Sequence, residues 1–388
     1  MAIVYVHIGT HKTGTTTLQK FLFEHRQELE SYNIVYPEIG MHPGLKGHHP
    51  IAFYLAGKRS YFRKTLPGLE ISEVVAEFSQ TLKNNKNIVI SSEDFSRQSL
   101  PFLRNVPSKL KSYFPARTEF RILVYLRRQD KFINSYYRWQ RKNGRMLRSK
   151  LNMRYVRSIK YFPYSKILRI WSKEFGEECV VVRPFERASL HGGSLISDFL
   201  SQIGISDWKS PLTNQPHLNV AYTVRQLEAL DYLRDVLSGP HFLISRFCRG
   251  FVKEFSGSLN LKSGPENPLE PRLANEILKK FSDDNRWIAR KYLDRCNLFI
   301  ENSISPVNED RQSLTDEDFQ RIDKLLASEV ERFNVALGAN LNGKSEHSGN
   351  IRVRSSIFRK KFEFGATRFR AGRIVRLFNI LLHRLKTV

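Results

Sequence analysis

The sequence predicts an α/β fold in which a central parallel sheet lies between two layers of helices. The first observation is a set of short apolar runs, each bounded by turn residues or charges, at 3–8, 88–91, 120–126 and 180–182. The second is that segments with helical periodicity alternate with these runs. Strands that alternate with helices form parallel sheets with both faces covered, so the four runs are predicted to be buried strands of one sheet.

Helices are predicted where apolar residues recur with helical spacing. The segments are 15–30, 70–84, 130–142, 161–174, 221–237 and 315–336. Gly239 and Pro240 follow the fifth segment as a stop signal, and Ser313 or Thr315 is placed to cap the sixth. Residues 256–271 contain several Gly and Pro residues and are predicted to form a surface loop.

The predicted domain organisation has three parts. Residues 1–337 form one α/β domain, the polar stretch 338–350 is a linker, and 351–388 is a basic C-terminal extension. Within 373–385 the apolar side chains fall on one helical face and the basic ones on the other. Because a basic amphipathic helix lies in a bilayer interface, the extension is predicted to bind an anionic membrane surface. The alternative is a terminal helix that packs its apolar face on the domain.

The composition points to an anionic partner without identifying it. The chain of 388 residues carries 63 Lys and Arg against 38 Asp and Glu, a formal net charge of +25. Such a surplus favours nucleotides, acidic glycans, lipid headgroups or nucleic acid. The three cysteines are far apart, so we expect reduced, buried thiols. Neither a signal peptide nor a transmembrane stretch is evident, and we expect a cytoplasmic protein that is at most peripheral at the inner face of the membrane.

The first motif is "IVYVHIGTHKTGTTTLQKFL", in which an apolar strand leads through a glycine-rich loop into a helix. Such a loop presents unpaired backbone N–H groups at a helix N-terminus, where an anion binds. The usual nucleotide loop has its Lys directly after the second Gly, but here Thr15 follows Gly14, and Lys12 lies inside the loop. A lysine at the loop tip suits a single 5′-phosphate that departs as a leaving group. The alternative is an ordinary strand–helix turn with a chance lysine.

The second motif is "RILVYLRRQDKFINSYYRW", in which a strand ends at a pair of arginines. Arg127 lies at the predicted carboxyl edge of the sheet, where ligands bind in open α/β folds. Ser135 follows eight positions later in the next helix. A guanidinium and a hydroxyl that converge there would hold a second phosphate. The alternative is a surface basic pair and a buried helical serine.

Together the two motifs resemble those of the sulfotransferase family, whose donor is 3′-phosphoadenosine 5′-phosphosulfate (PAPS). The resemblance includes "VISSED" and "VYLRRQD", covers about residues 1–205, and implies a P-loop-like nucleotide-binding core. It implies that the strand-end Arg127 and Ser135 bind the 3′-phosphate and that Lys12 acts on the bridging oxygen of the 5′-phosphosulfate. The donor-binding loop would then consist of His11, Lys12, Thr13, Gly14, Thr15 and Thr16. From residue 206 onward no family donor-binding element is matched.

An acceptor hydroxyl must lose a proton during sulfuryl transfer, so a general base is expected. Glu93, at the end of the run 88–91, is one candidate, and family enzymes that act on sugar hydroxyls often place a Glu or His at such a strand end. The rival candidates are His48 and His49, on a loop rich in Gly and Pro. Asp94 is predicted to be a helix-capping carboxylate. No metal is expected.

The acceptor is predicted from the basic and aromatic segment 136–164, which suits a glycan or glycolipid. The function that the sequence and this resemblance favour is thus that of a PAPS-dependent sulfotransferase that acts on a sugar or glycolipid hydroxyl. A P-loop kinase or ATPase is the alternative enzyme, with Asp94 as the nearest candidate Mg²⁺ ligand. A basic nucleic-acid-binding protein is the non-enzymatic alternative, although no motif for nucleic acid is visible.

Overall fold

The structure is a computed structural model that describes residues 2–144, 151–210, 222–238, 241–262, 268–300, 313–326 and 352–353. The chain divides into two compact units. The first comprises Met1–Ile133, Asn152–Asn219 and Arg272–Ile304, and the second comprises Asn134–Leu151, Val220–Pro271 and Ser305–Val388. The domain organisation predicted from the sequence, with one domain over 1–337, stays a prediction.

The first unit contains a five-stranded sheet and most of the helices. Its strands are β1 (Ile3–His7), β2 (Ile34–Val35), β3 (Asn87–Ser91), β4 (Glu119–Leu126) and β5 (Val180–Pro184). Its helices are α1 (Thr15–Glu24), α2 (Arg26–Ser31), α3 (His49–Leu55), α4 (Arg59–Thr65), α5 (Ile71–Lys83), α6 (Leu100–Ser112), the start of α7 (Gln129–Lys142), α8 (Met153–Ser158), α9 (Tyr164–Phe175), α10 (Leu195–Gln202), α13 (Pro271–Lys280) and α14 (Ser282–Leu293). Short 3₁₀ helices span Glu93–Ser96, Arg187–Ser189 and His191–Gly193.

The sheet confirms the predicted fold class. Its strand order is β2-β3-β1-β4-β5, and every pairing is parallel. The four predicted strands are β1, β3, β4 and β5, and β2 adds a two-residue edge strand. Because β1 is central and pairs with β3 and β4, the three carboxyl ends lie side by side. Loops that follow them meet at one edge of the sheet, where ligands bind in this class of fold.

Alternate residues of each strand face opposite helical layers, as the pleat of a strand requires. One face carries Tyr5, Val89 and Leu123, which pack with α1, α2 and α10. On the other face, α9 and α14 pack against the end of the sheet formed by β4 and β5, and α5 packs against β3. The result is a three-layer α/β unit in which the central strands are buried on both sides.

A buried carboxylate attaches α10 to the sheet. Asp198 is fully buried and accepts a hydrogen bond from the Tyr125 hydroxyl (2.8 Å) and another from the His191 backbone N–H (2.9 Å). Arg183, on β5, donates to the same carboxylate from Nε (3.0 Å) and from a terminal nitrogen. Helix α10 therefore packs on the sheet through a buried ion pair as well as apolar contacts.

The second unit has its own apolar core. It contains the rest of α7, α11 (Val224–Val236), β6 (Leu237–Ser238), α12 (His241–Phe255), α15 (316–326) and β7 (Arg352–Val353), which pairs antiparallel with β6. Thr223 caps α11 and Thr315 caps α15, each by accepting from a backbone N–H three residues later. The core is formed by Leu227, Leu230, Leu233, Val252, Leu261 and Ile322.

Two predictions for this part of the chain differ in detail from the structure. The surface loop predicted over 256–271 is partly wrong, because Leu259 and Leu261 turn inward and are buried in the core. The helix predicted over 221–237 ends at Val236, before its expected Gly239 stop. The linker 338–350 and nearly all of the extension 351–388 lie outside the described residues.

We expect Asp198→Ala to destabilise the protein by about 3–5 kcal/mol, because it leaves the Arg183 guanidinium and the Tyr125 hydroxyl without their buried acceptor. Urea unfolding measures this loss. Asp207→Ala removes an exposed carboxylate from the neighbouring segment and is the matched control, for which we expect a change within ~0.5 kcal/mol. Equal stabilities for the two variants would contradict the role given to Asp198.

Candidate functional site

The loop between β1 and α1 is held in an unusual backbone conformation at its tip. Lys12 has a φ of 70°, a left-handed value that a residue with a side chain adopts only when its surroundings impose it. The Arg127 guanidinium, which follows β4, donates a hydrogen bond from Nη1 to the Lys12 carbonyl (2.7 Å). This bond fixes the direction of the Lys12 peptide and joins the two sequence motifs physically.

Hydroxyl groups of the loop support its shape. The Thr10 hydroxyl donates to the Tyr125 carbonyl of β4 (2.8 Å), and the Thr13 hydroxyl donates to the Thr10 carbonyl (2.6 Å). Thr13, predicted to bind the donor, is buried, and its hydroxyl donates within the loop, so its contact with the donor stays a prediction. Thr15 is also buried, whereas Thr16 is exposed in the first turn of α1.

The start of α1 has the backbone features of a helix N-terminus without acidic residues. Gly14 is the residue before the helix and has a φ of 76°, which glycine adopts without strain. Its missing side chain is also required by space, because a Cβ there would lie 2.7 Å from Leu195 Cδ2. The first turn of α1 contains no acidic residue. The backbone N–H groups that follow Gly14 therefore face the loop with the positive end of the helix dipole behind them.

Arg127 is a largely enclosed cation at the end of β4. Burial lowers the pKa of its guanidinium, and the group lies 5.7 Å from the centre of the Phe185 ring. The Tyr164 hydroxyl donates to the Arg127 carbonyl (2.7 Å) and holds the backbone of this strand end. Ser135 lies in the portion of α7 that belongs to the second unit, so its predicted pairing with Arg127 stays a prediction.

A network of charged or polar side chains lies just after the end of β3, next to the loop. Its five members are Gln19, Glu93, His49, Asp94 and Arg97. Strand β3 ends at Ser91, and Glu93 starts a 3₁₀ helix. Gln19 donates to Glu93 Oε2 (3.2 Å), and His49 Nε2 lies 3.8 Å from the same oxygen. The other ring nitrogen of His49, Nδ1, donates to Asp94 Oδ2 (2.9 Å). Arg97 forms an ion pair with the second oxygen of Asp94.

The charges in this network are set by burial and by one hydrogen bond. Burial opposes the charged form of His49, but the hydrogen bond to Asp94 and the charge of Glu93 outweigh it, so the pKa of His49 is raised. Burial likewise opposes the charged form of Asp94, yet the contacts with His49 and Arg97 lower its pKa to about 2. Around neutral pH the Asp94 carboxylate is therefore ionised and favours the imidazolium form of His49.

His48, the other candidate base on the loop rich in Gly and Pro, makes its contacts within the protein. Its side chain is fully buried, and both of its ring nitrogens are used within the protein. Nε2 donates to the Pro37 carbonyl (3.0 Å), while Nδ1 accepts from the Ser91 backbone N–H (3.2 Å). Burial lowers its pKa to about 4, so it is a neutral structural residue that joins α3 to the end of β3.

His11 lies next to Lys12 with its ring against Tyr161, at 4.8 Å between ring centres. Its Nε2 is buried and has no hydrogen-bond partner within the part of the chain that the structure describes. Burial lowers the pKa of His11, and the carboxylates of Glu93 and Asp94 oppose that effect, while Arg97 and Lys12 add to it. The imidazole is thus neutral and within electrostatic range of the Glu93 end of the site.

Two side chains of this arrangement were missed by the sequence analysis. Gln19 lies one helical turn after Thr15, on the face of α1 that is turned to the sheet edge, and this spacing was the available signal. Arg97 gave no signal, because its pairing with Asp94 depends on the 3₁₀ turn that follows β3. Asp94, predicted as a capping carboxylate, instead holds His49, and Ser92 caps the turn.

Known proteins were found that are similar to this chain in sequence or in structure. No protein-family model matches the chain. A protein of Archaeoglobus fulgidus, named as an uncharacterized protein, is 31% identical to this chain over 218 residues. The matched region covers 55% of this chain, and the chain spans about half (55%) of the length of that relative. The crystal structure of a sulfotransferase from Alicyclobacillus acidocaldarius is 15% identical and has a TM-score of 0.37, covering 74% of this chain and 94% of that one. A similarity of that size does not assign an activity.

Two kinds of structural feature would bear on the chemistry and location of the protein, namely a metal-binding cluster and a membrane-spanning helix. Over the described ranges, no group of three or more His, Cys, Asp or Glu side chains is arranged to hold a metal ion. Among those same residues, no helix combines the length and apolar character needed to cross a bilayer.

We expect the histidines of this unit to titrate in two separate ranges. His7 and His48 are predicted to titrate at about 4 because both are buried, and His49 above its ordinary value of 6.5 because Asp94 and Glu93 stabilise its imidazolium. The contribution of His49 to stability is then fully present below pH 6.5 and is lost as the pH rises through its raised folded-state pKa. Imidazole NMR signals followed against pH measure all three values.

Asp94→Asn is the control for this titration, because the amide keeps the shape but removes the charge that faces His49. We expect the His49 pKa to fall in that variant while those of His7 and His48 stay near 4. A wild-type His49 that titrates below 6.5, or one that is unaffected by Asp94→Asn, would contradict the assigned ion pair.

Proposed function

We propose that this protein is a sulfotransferase that moves a sulfuryl group from PAPS to an acceptor hydroxyl. The observation that carries the proposal is the hydrogen bond between Arg127 and the Lys12 carbonyl (2.7 Å). It joins a phosphate-type loop, whose lysine is at the tip, to the strand-end arginine of the second motif. Glu93 starts the 3₁₀ helix that follows the neighbouring strand β3, which supports a proton-accepting group at the same edge of the sheet as the loop.

The residues of the loop suit the 5′-phosphosulfate of such a donor. The backbone N–H groups after Gly14 and the helix dipole of α1 favour a phosphate. Lys12 would neutralise the bridging oxygen between sulfur and phosphorus, and Thr16 has an exposed hydroxyl in the first turn. Arg127 supplies an enclosed positive charge for the 3′-phosphate, with Ser135 as its proposed second contact. His11 was grouped with these residues and receives a separate role below.

The chemical step needs one bond to form and one to break. The acceptor oxygen attacks sulfur, and the bond from sulfur to the bridging oxygen breaks, so its electron pair leaves with the 5′-phosphate of adenosine 3′,5′-bisphosphate. The proton of the acceptor hydroxyl moves to a carboxylate. Catalysis of this kind depends on in-line positioning and on stabilising spread negative charge.

Glu93 fits the general base better than His49. The Glu93 side chain is 18% exposed, whereas the His49 side chain is 5% exposed and uses Nδ1 for Asp94. A group that takes a proton from substrate must reach it, and the raised pKa of His49 disfavours the neutral imidazole that could accept a proton. We therefore assign His49 to positioning Glu93 through the contact at Nε2.

The kinase or ATPase alternative is disfavoured by the state of Asp94. Its carboxylate oxygens are occupied by His49 and Arg97, and the residue is buried, so it offers no Mg²⁺ ligand.

The acceptor is proposed to be a sugar or glycolipid hydroxyl, on the basic and aromatic character of 136–164 alone. The membrane-binding role proposed for 351–388 and the nucleic-acid alternative have no support from the described residues.

Nucleotide binding tests the proposal. We expect adenosine 3′,5′-bisphosphate, in the absence of metal, to stabilise the protein by about 2.7 kcal/mol at ~100 times its dissociation constant. Adenosine 5′-phosphate should bind more weakly, because it lacks the group that Arg127 would contact. Differential scanning calorimetry with each nucleotide, and with ATP with and without Mg²⁺, measures these effects.

Two variants are matched. Lys12→Ala removes the charge at the loop tip, and Lys20→Ala removes a partly exposed charge of the following helix α1, where Lys20 pairs with Glu24. We expect the first to lose most of the stabilisation by the bisphosphate and the second to keep it. Stabilisation by ATP with Mg²⁺ alone would replace this proposal with the kinase or ATPase alternative.

Glu93→Gln should keep the affinity for adenosine 3′,5′-bisphosphate and lose turnover by roughly 10² or more, the size expected for a general base. Turnover is measured as release of the bisphosphate from PAPS in the presence of a panel of sugar acceptors, with water as the background. His49→Gln should lower turnover less. A fully active Glu93→Gln enzyme together with an inactive His49→Gln enzyme would assign the base to His49.

A further inference from the structure

His11 occupies a position that the donor-binding loop alone does not explain. Its Nε2 is buried and has no hydrogen-bond partner among the described residues, and a buried polar atom in that state needs a reason, since leaving it unpaired costs free energy. The backbone on both sides is fixed, because the Thr10 hydroxyl donates to Tyr125 (2.8 Å) and the Lys12 carbonyl accepts from Arg127 (2.7 Å). The backbone that carries the ring is therefore held on both sides, while the ring nitrogen has no partner among the described residues.

The surroundings of His11 lie between the two ends of the proposed reaction. Lys12, its neighbour in the chain, is the residue proposed for the bridging oxygen that leaves. Glu93, proposed to take the proton of the attacking hydroxyl, is close enough for its charge to act on the His11 ring. In an in-line transfer the sulfuryl group lies between the leaving and the attacking oxygen. A side chain next to Lys12 and within the electrostatic influence of Glu93 is therefore near the group that is transferred.

The chemistry of the His11 ring suits that group. The ring is neutral, because burial lowers its pKa. A neutral imidazole with its proton on Nε2 donates one hydrogen bond and adds no charge that would compete with Lys12. The nonbridging oxygens of a sulfuryl group are acceptors whose negative charge must be stabilised throughout the transfer.

We propose that His11 Nε2 donates a hydrogen bond to a nonbridging oxygen of the sulfuryl group, an inference that rests on the proposed function. His11 is then a sulfuryl-recognition residue that distinguishes the charged donor from its spent product, because adenosine 3′,5′-bisphosphate lacks the group that it contacts. The product loses this bond when transfer is complete, which favours its release.

The test compares the affinities of PAPS and adenosine 3′,5′-bisphosphate by titration calorimetry, without any acceptor. His11→Phe keeps a ring against Tyr161 and removes the nitrogen. We expect it to lose about tenfold or more in PAPS affinity, the worth of one hydrogen bond to a charged group, and less than twofold in affinity for the bisphosphate. His11→Gln, whose amide nitrogen reaches the place of Nε2, should restore most of the difference.

The remaining outcomes overturn the proposal in distinguishable ways. Equal losses for both ligands in His11→Phe would make His11 a support of the loop, and no loss for either would remove it from the site. If His11→Phe does not fold, His11→Asn serves as the removal variant, since its shorter amide does not reach the Nε2 position. A wild-type protein that binds neither nucleotide would refute the proposed function as well, whereas binding of both with no His11 effect refutes this inference alone.

Discussion

The hydrogen bond from the Arg127 guanidinium to the Lys12 carbonyl is the interaction on which the rest of the site depends. Lys12 is held at a φ of 70°, and a residue with a side chain keeps such a conformation only where other contacts impose it. The bond spans two neighbouring parallel strands, so the position of the loop tip is fixed by the register of β1 against β4. A change in that register would displace the loop lysine and the strand-end arginine together.

The histidines near the sheet edge show how one protein environment separates identical side chains. Burial lowers the pKa of His7, His11 and His48, which leaves them neutral. His49 is buried as well, yet its hydrogen bond to Asp94 and the charge of Glu93 raise its pKa. Two neighbouring carboxylates therefore separate His49 from the other three imidazoles, and the pKa of Asp94 is itself lowered by His49 and Arg97.

The elements that the sequence predicts well are those whose local pattern matches their environment. Strands β1, β3, β4 and β5 are apolar runs buried on both faces, and they were found with errors of a residue or two. The edge strand β2 was not found, because Ile34–Val35 is too short to show a pattern. The inward turn of Leu259 and Leu261 was also missed, since it depends on the packing of α11 and α12 rather than on neighbours in the chain.

The candidate site divides in the same way. Lys12, Gly14 and Arg127 were identified because strand, loop and helix follow one another in the chain. The network of side-chain contacts from Gln19 through Glu93 and His49 to Asp94 combines residues from α1, α3 and the turn after β3. No local sequence pattern therefore contains it. His48 and His49 are adjacent in sequence, and the geometry of one helix start sends the first to Pro37 and the second to Asp94.

The close approach of Gly14 to Leu195 has a consequence for the natural variation of this protein. The space that a Cβ at position 14 would need is filled by Leu195 Cδ2 at 2.7 Å, so the loop and α10 share one small volume. Two positions 181 residues apart in the chain are thereby coupled through a single van der Waals contact. A side chain at position 14 would need a smaller residue at 195 and would still be strained at a φ of 76°, so position 14 is restricted by conformation as well as by space.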